Sequence, residues 1–168
     1  IRDVLSFPTL EDSELRLMDI DAENLDRTYK HARTLIEAHD LPARVMATPD
    51  RRESLQDTDF VVITFQAGSI DAYRHDVEIP RKYGLDQTVG DTLGPGGVFR
   101  GLRTAKALDP IIADMHEVSP DALVINSANP MSINCWYASE AGVETVRLCH
   151  SVQGTSRMLA ERIGFEDG

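Results

Sequence analysis

The sequence predicts an α/β fold, a doubly wound parallel sheet with flanking helices. Short apolar segments with strand character alternate with longer helical patterns along the chain. These strand segments are nearly continuous in apolar residues rather than alternating, as expected where helices cover both faces of a parallel sheet. No internal repeat or low-complexity tract competes with this reading. Such sheets bind ligands at the carboxyl ends of their strands.

In order, residues 1–10 read as the end of a helix. Residues 15–20 (Leu-Arg-Leu-Met-Asp-Ile) form an apolar run closing on an acid, so they predict a strand. Asp21 then stands as an N-cap before a helical pattern through Leu25, Tyr29, Ala32, Leu35 and Ile36. Residues 44–47 predict a weaker strand, 50–55 a short helix, and 59–64 a β-branched strand covered on both faces. After a loop at 66–69, a helical stretch runs to Tyr83, and a Gly-rich irregular segment follows at 84–97. A long amphipathic helix then passes through Leu102, Ala105, Ile112 and Met115. Residues 122–126 predict a strand running into Asn129-Pro130. A helix at 133–138, a strand at 145–148 ending in Cys149-His150, and a helix at 155–163 complete the series.

The 168 residues are 42% hydrophobic and 27% charged, enough apolar material for one sizeable core, so one domain is expected. A formal net charge of -11 works against non-specific attraction to phosphate backbones or anionic membranes, and neither nucleic acid nor membrane is expected as a partner. There is no apolar run of about 18 residues and no basic, apolar leader at Ile1, which predicts a soluble, cytoplasmic protein. Two cysteines, Cys135 and Cys149, are too few and too far apart for a disulfide framework.

Candidate site residues gather at the predicted strand ends. Asp19 stands where an acid can hydrogen-bond the ribose of a dinucleotide, although either Asp19 or Asp21 can equally cap the next helix. The Gly-x-Gly-x-x-Gly turn of such a cofactor site does not occur. Gly94-Pro95-Gly96-Gly97 has neither its spacing nor a preceding strand, and reads either as a flexible loop or as a helix start facing an anion or sugar hydroxyls. Asn129 offers an amide to a sugar or nicotinamide ribose, or simply makes a turn. Cys149 and His150 pair a thiol with an imidazole, a combination suited to metal ligation or acid/base chemistry. Cys135, between Asn134 and Trp136 in an apolar helix, reads as a packing residue and is left out of the site.

Three phrases join these points. They are Gly90-Asp91-Thr92-Leu93-Gly94-Pro95-Gly96-Gly97-Val98-Phe99-Arg100-Gly101-Leu102-Arg103-Thr104, then Ala128-Asn129-Pro130-Met131, then Leu148-Cys149-His150-Ser151-Val152-Gln153-Gly154-Thr155. Together they resemble glycoside hydrolase family 4. The likeness runs back through Leu17-Met18-Asp19-Ile20-Asp21 and Ile79-Pro80-Arg81-Lys82-Tyr83-Gly84, so it covers essentially the whole chain in the family's order. Within the family, the run from Cys149 to Thr155 is most similar to the α-galactosidase and α-galacturonidase branch, beside which the α-glucosidases stand. The 6-phosphoglycosidase branch tends to carry a phosphate-gripping Arg six residues before the Ile-Pro pair. This chain has Tyr73 there, with Arg74 beside it, which favours a non-phosphorylated sugar.

The resemblance implies a Rossmann-like, NAD-binding domain over residues 1–168, partial at both ends, lacking its first strand and without the family's C-terminal catalytic domain. It implies an NAD- and metal-dependent hydrolase of carbohydrate metabolism, with manganese or another divalent metal and a small-molecule α-glycoside substrate. The family departs from two-carboxylate glycoside hydrolysis. In its redox route, hydride leaves sugar C3 for NAD, a tyrosine base takes the acidified C2 proton, the leaving group is eliminated, water adds, and the hydride returns. Carried over residue by residue, Cys149 ligates the metal, His150 assists the leaving group and contacts substrate, Asn129 binds substrate, and Asp91 tunes the base. Asp19 binds the adenosine ribose, and Gln66, Ala67 and Gly68 line the cofactor.

The family's metal-binding histidine and tyrosine base lie beyond Cys149 in segments that do not occur before Gly168, so the 168 residues alone are expected to be inactive. His150 is no ready substitute, because adjacent strand residues face opposite ways. A sheet without its first strand exposes unpaired edges and is expected to self-associate, so a homo-oligomer is anticipated. Two other readings stay open: a lactate- or malate-like hydroxyacid dehydrogenase, which shares the sheet order but gives no reason for Cys149-His150, and a non-catalytic fragment.

Overall fold

The computed structural model describes residues 1–87, 92–149 and 151–165. Seven helices and five strands alternate among these residues. The chain divides into two compact units, Ile1–Asp59 with Ala113–Pro120, and Phe60–Ile112 with Asp121–Gly168. The strands form two separate sheets, both entirely parallel. The α/β architecture of parallel strands and flanking helices is therefore as the alternation of patterns predicts.

The first unit begins with a single helical turn, α1 (Arg2–Leu5), and turns to residue 12, so residues 1–10 are helical over a shorter span than expected. Strand β1 (Glu14–Met18) pairs in parallel with β2 (Arg44–Thr48), from Glu14 opposite Arg44 to Met18 opposite Thr48. Between them lies α2 (Ala22–Ala38), and α3 (Arg51–Leu55) follows β2. Both helices start on an aspartate. Asp21 accepts from the N–H groups of Glu23 (2.9 Å) and Asn24 (3.1 Å), and Asp50 from those of Arg52 (2.8 Å) and Glu53 (3.2 Å). Each cap satisfies donors that the first turn leaves orphaned and contributes about 1 kcal/mol. Leu25 and Ala32, two turns apart on α2, bury with Leu5, Leu55 and Met115. Asp114 receives Arg51 on one carboxylate oxygen (2.6 Å) and Arg52 on the other (2.8 Å).

In the second unit, β3 (Phe60–Ile63), β4 (Leu123–Asn126) and β5 (Thr145–Arg147) lie in sequence order. Helices α4 (Ser69–Lys82), α5 (Gly94–Val118), α6 (Met131–Glu140) and α7 (Ser151–Ile163) complete the chain, with residues 113–118 of α5 belonging to the first unit. The core is Ile63, Leu108, Ile112, Val124, Cys135, Ala138 and Val143. Gly101 lets α5 lie against α6: a Cβ there would meet the Ile133 Cδ1 at 2.8 Å.

Three local expectations need correction. Strand β3 is covered on one face only, because Ile63 is buried while Phe60 and Val62 are 56% and 55% exposed. The Gly-Pro-Gly-Gly segment does not precede α5 but forms its first turn. There Pro95 lacks an N–H that the turn would leave unpaired anyway, and its ring presets a helical φ. Helix α7 begins at Ser151, four residues before the expected start. It has no buried residue, and Val152, Met158, Leu159 and Ile163 are exposed. No helix of the described residues is long and apolar enough to cross a membrane.

Candidate active site

The second unit presents three loops at one edge, the carboxyl ends of β3, β4 and β5. Residues 64–68 leave β3 and enter α4 through Gly68, which adopts φ +85°. A Cβ at this glycine would stand 2.7 Å from the Ala72 Cβ and 2.9 Å from the Arg103 Cδ, so both the turn and the close packing require its absence. The Gln66 amide donates to the Ser69 carbonyl at 3.0 Å. From α5, the Arg103 Nε donates to the Ala67 carbonyl at 3.0 Å. The same guanidinium forks onto Asp76 of α4, at 3.1 and 2.6 Å. Asp76 is 2% exposed, and this bidentate pairing is what permits a carboxylate at that depth.

The loop after β4 continues the ladder, as the Ser127 N–H donates to the Ile63 carbonyl at 3.0 Å. Two buried amides, Asn126 and Asn134, both donate to the Ala128 carbonyl, at 2.9 and 3.2 Å. The next bond, Asn129–Pro130, is cis, and Asn129 is half-buried. Its backbone carbonyl accepts from the Arg100 Nε at 3.1 Å, while the Nη2 of that guanidinium reaches the Gln66 Oε1 at 3.4 Å. Arg100 also lies over the Tyr73 ring, 5.9 Å from its centroid.

Strand β5 ends early enough that Leu148 and Cys149 lie beyond it, with the Leu148 N–H bonded to the Asn126 carbonyl at 3.0 Å. Cys149 is exposed, and its Sγ lies 2.8 Å from the Ser151 hydroxyl. That hydroxyl, and after it the backbone N–H of Ser151 at the start of α7, hold the thiol below its ordinary ionisation range. The thiolate, the form that ligates metals, is thereby favoured. Cys135 shows the opposite: it is buried in the core, and burial pushes its thiol up. This matches its reading as a packing residue.

The predicted site residues are thus distributed unevenly. Gln66, Ala67, Gly68, Asn129 and Cys149 share one sheet edge, with Gln66 and Asn129 joined through Arg100. Asp19 belongs to the first unit, at the end of β1. Its Oδ1 accepts from the Asp21 N–H at 2.9 Å, so the open choice between the two acids resolves: Asp21 caps α2, and Asp19 braces the turn before it. Asp91 and His150 lie outside the described residues. Among the described residues, no three His, Cys, Asp or Glu side chains cluster as a metal cage, so Cys149 supplies one donor and not a site.

Sequence reasoning did not single out Arg100, Arg103 or Asp76. A signal for Asp76 was present, because it stands one turn from Ala72 and from Pro80 on the inward stripe of α4, where a charge must find a partner.

Residues 1–165 match the family described as Family 4 glycosyl hydrolase. The chain is 42% identical over 168 residues to an alpha-galactosidase of Rhizobium meliloti, covering 99% of this chain and 34% of that protein. With an alpha-galacturonidase of Bacillus subtilis, it shares 37% identity over 129 residues, 73% of this chain and 29% of the other. In fold it is similar to the 6-phospho-beta glucosidase of Thermotoga maritima solved with manganese, NAD+ and glucose-6-phosphate. That likeness has a TM-score of 0.75 at 23% identity, covering 92% of this chain and 37% of that one. The chain therefore spans about a third of the length of the relatives it matches. Matched over residues 1–165, the chain belongs to family 4 of the glycosyl hydrolases.

Proposed function

We propose that residues 1–168 are the NAD-binding, Rossmann-like part of an enzyme that hydrolyses α-glycosidic bonds, with an α-galactoside or α-galacturonide as substrate. The observation that carries this reading is the shared edge of β3, β4 and β5. One loop offers a glycine-opened backbone, the next an amide, and the third a thiol biased toward thiolate. Family membership supports the chemistry, and solved family members hold NAD and manganese. It also displaces the hydroxyacid dehydrogenase reading, which leaves Cys149 without a role.

The residues present fit NAD in one respect that geometry can test. Gly68 has no room for a side chain, and the backbone of residues 66–68 lies at the strand ends where such cofactors bind. When bound, NAD supplies a reversible acceptor for the hydride of sugar C3. Around it, Asp19 accepts from ribose hydroxyls, and residues 66–68 line the cofactor. The Asn129 amide holds a sugar hydroxyl, which fixes the ring relative to the cofactor. His150 protonates the leaving oxygen, and Asp91 orients the base that removes the C2 proton. Cys149 contributes a thiolate to a divalent cation. Among the described residues Cys149 is a single donor and does not by itself make a metal site.

Tyr73 supports a non-phosphorylated sugar. Its ring packs under Arg100, and the neighbouring Arg74 turns toward Asp71 at 3.8 Å. The deciding experiment assays the full-length protein on 4-nitrophenyl α-galactoside and α-galacturonide, with NAD and Mn²⁺ each added or withheld under reducing conditions. Hydrolysis that requires both is expected. Hydrolysis independent of NAD would overturn the redox reading, and the preferred sugar identifies the branch.

A further inference from the structure

Arg100 is 8% exposed, and its one planar head reaches two different loops of the site. Its Nε holds the Asn129 carbonyl and its Nη2 the Gln66 side-chain carbonyl, while the Tyr73 ring covers it. A guanidinium carries its donors in fixed directions, so one head bonded to two acceptors sets their relative position. Gln66 lies on a loop already pinned by Arg103, whose other side is locked by Asp76. Arg100 and Arg103 are three residues apart on one face of α5. The loop proposed to line the cofactor and the loop proposed to grip the sugar therefore hang from a single helix.

We infer that Arg100 is a positioning residue that couples the two ligands: occupancy of the 66–68 loop moves or stiffens Gln66, and the guanidinium transmits this to the Asn129 backbone. The inference rests on the reading given under Proposed function. Its consequence is thermodynamic. NAD raises sugar affinity, and by linkage sugar raises NAD affinity by the same factor, about tenfold for coupling of ordinary strength.

The test is calorimetric titration of the full-length protein in the presence of Mn²⁺. NAD is titrated with and without D-galactose or D-galacturonate, whichever sugar the hydrolysis assay supports, and the sugar is titrated with and without NAD. In the natural protein the two ratios are expected to agree, at about tenfold. Arg100→Lys keeps the positive charge but has a single compact head that does not span both acceptors. It is expected to bind each ligand while the ratio falls to near one. Gln66→Met cuts one arm and leaves Arg100 bonded to Asn129, with the same expected loss of coupling. If Arg100→Lys fails to fold by circular dichroism, Gln66→Met decides. A purely structural arginine would weaken both affinities without changing their ratio. Coupling that persists in a folded Arg100→Lys protein, or a natural protein that binds both ligands independently, overturns the inference. A natural protein that does not bind NAD at all overturns the underlying functional reading instead.

Discussion

The two units place their charges in opposite ways. In the first unit, charged groups cap helix ends or tie one helix to another, as Asp114 of α5 does with α3. Asp21 and Asp50 cap helices two and three residues away, and Asp114 draws in two arginines whose side chains are 32% and 47% exposed. In the second unit, Asp76 is sunk into the fold, and Arg100 and Arg103 reach across 29 and 36 positions of sequence to backbone carbonyls of the site loops. Polar groups in the first unit finish secondary structure, and those in the second aim loops. The difference teaches where perturbation should change stability alone and where it should change stability and ligand binding together.

Removing the Asp76 carboxylate should have the largest effect. Asp76→Asn leaves Arg103 with a weakened partner next to buried apolar surface, a change that costs about 3–5 kcal/mol when a buried pair loses one member. The urea midpoint of the full-length protein should fall markedly, and NAD affinity with it, because Arg103 also holds Ala67. Lost stability with unchanged NAD affinity would show that this ion pair is no more a site device than Asp114.

Gly68→Ala comes next. A non-glycine residue at φ +85° costs about 1–2 kcal/mol, and the added methyl would meet Ala72 and Arg103. Weaker NAD binding measured by titration is expected, together with a modest loss of stability. A variant that binds NAD as well as the natural protein would remove the geometric support for the cofactor loop.

Asp114→Asn sharpens the contrast from the other side. Burial raises the Asp114 carboxyl, but Arg51 and then Arg52 lower it by more, so its net position is below the usual carboxylate range. A depressed folded pKa means stability that is present above the unfolded value and lost as pH falls through the folded one. The variant should therefore be less stable at neutral pH, by about 1–2 kcal/mol given the partly exposed partners. That deficit should shrink on acidification below about pH 4 in urea titrations. NAD affinity should not move.

Legibility follows the same division. Asp21, Asp50, and the strand and helix patterns could be read because their partners are adjacent in sequence and their periodicities are local. The strand-end placement of Asp19, Gln66 to Gly68, Asn129 and Cys149 was legible from the strand patterns, and their roles at a site are proposed from the resemblance to a known family. Arg100 and Arg103 were not legible, since nothing in a helix sequence tells which carbonyl a long side chain will meet 29 or 36 residues away. The exposed face of β3 was illegible for a related reason. A run such as Phe60 to Ile63 shows that burial is wanted, and the packing of other elements decides whether it is met.

Ser151→Ala is the mildest test and bears on Cys149 alone. The Ser151 hydroxyl is the largest of the influences that favour the thiolate, and the backbone N–H groups of Ser151 and Val152 add to it. Hydrogen bonds to the charged form lower a thiol's pKa, so deleting the hydroxyl should move the midpoint of iodoacetamide alkylation against pH upward, while the backbone donors keep it from returning fully. Because Cys149 is exposed and Ser151 begins a helix with no buried residue, stability should be nearly unchanged. An alkylation profile that does not shift would mean the helix start, and not the hydroxyl, prepares this sulfur, and Ser151 would then have no part in presenting Cys149 to a metal.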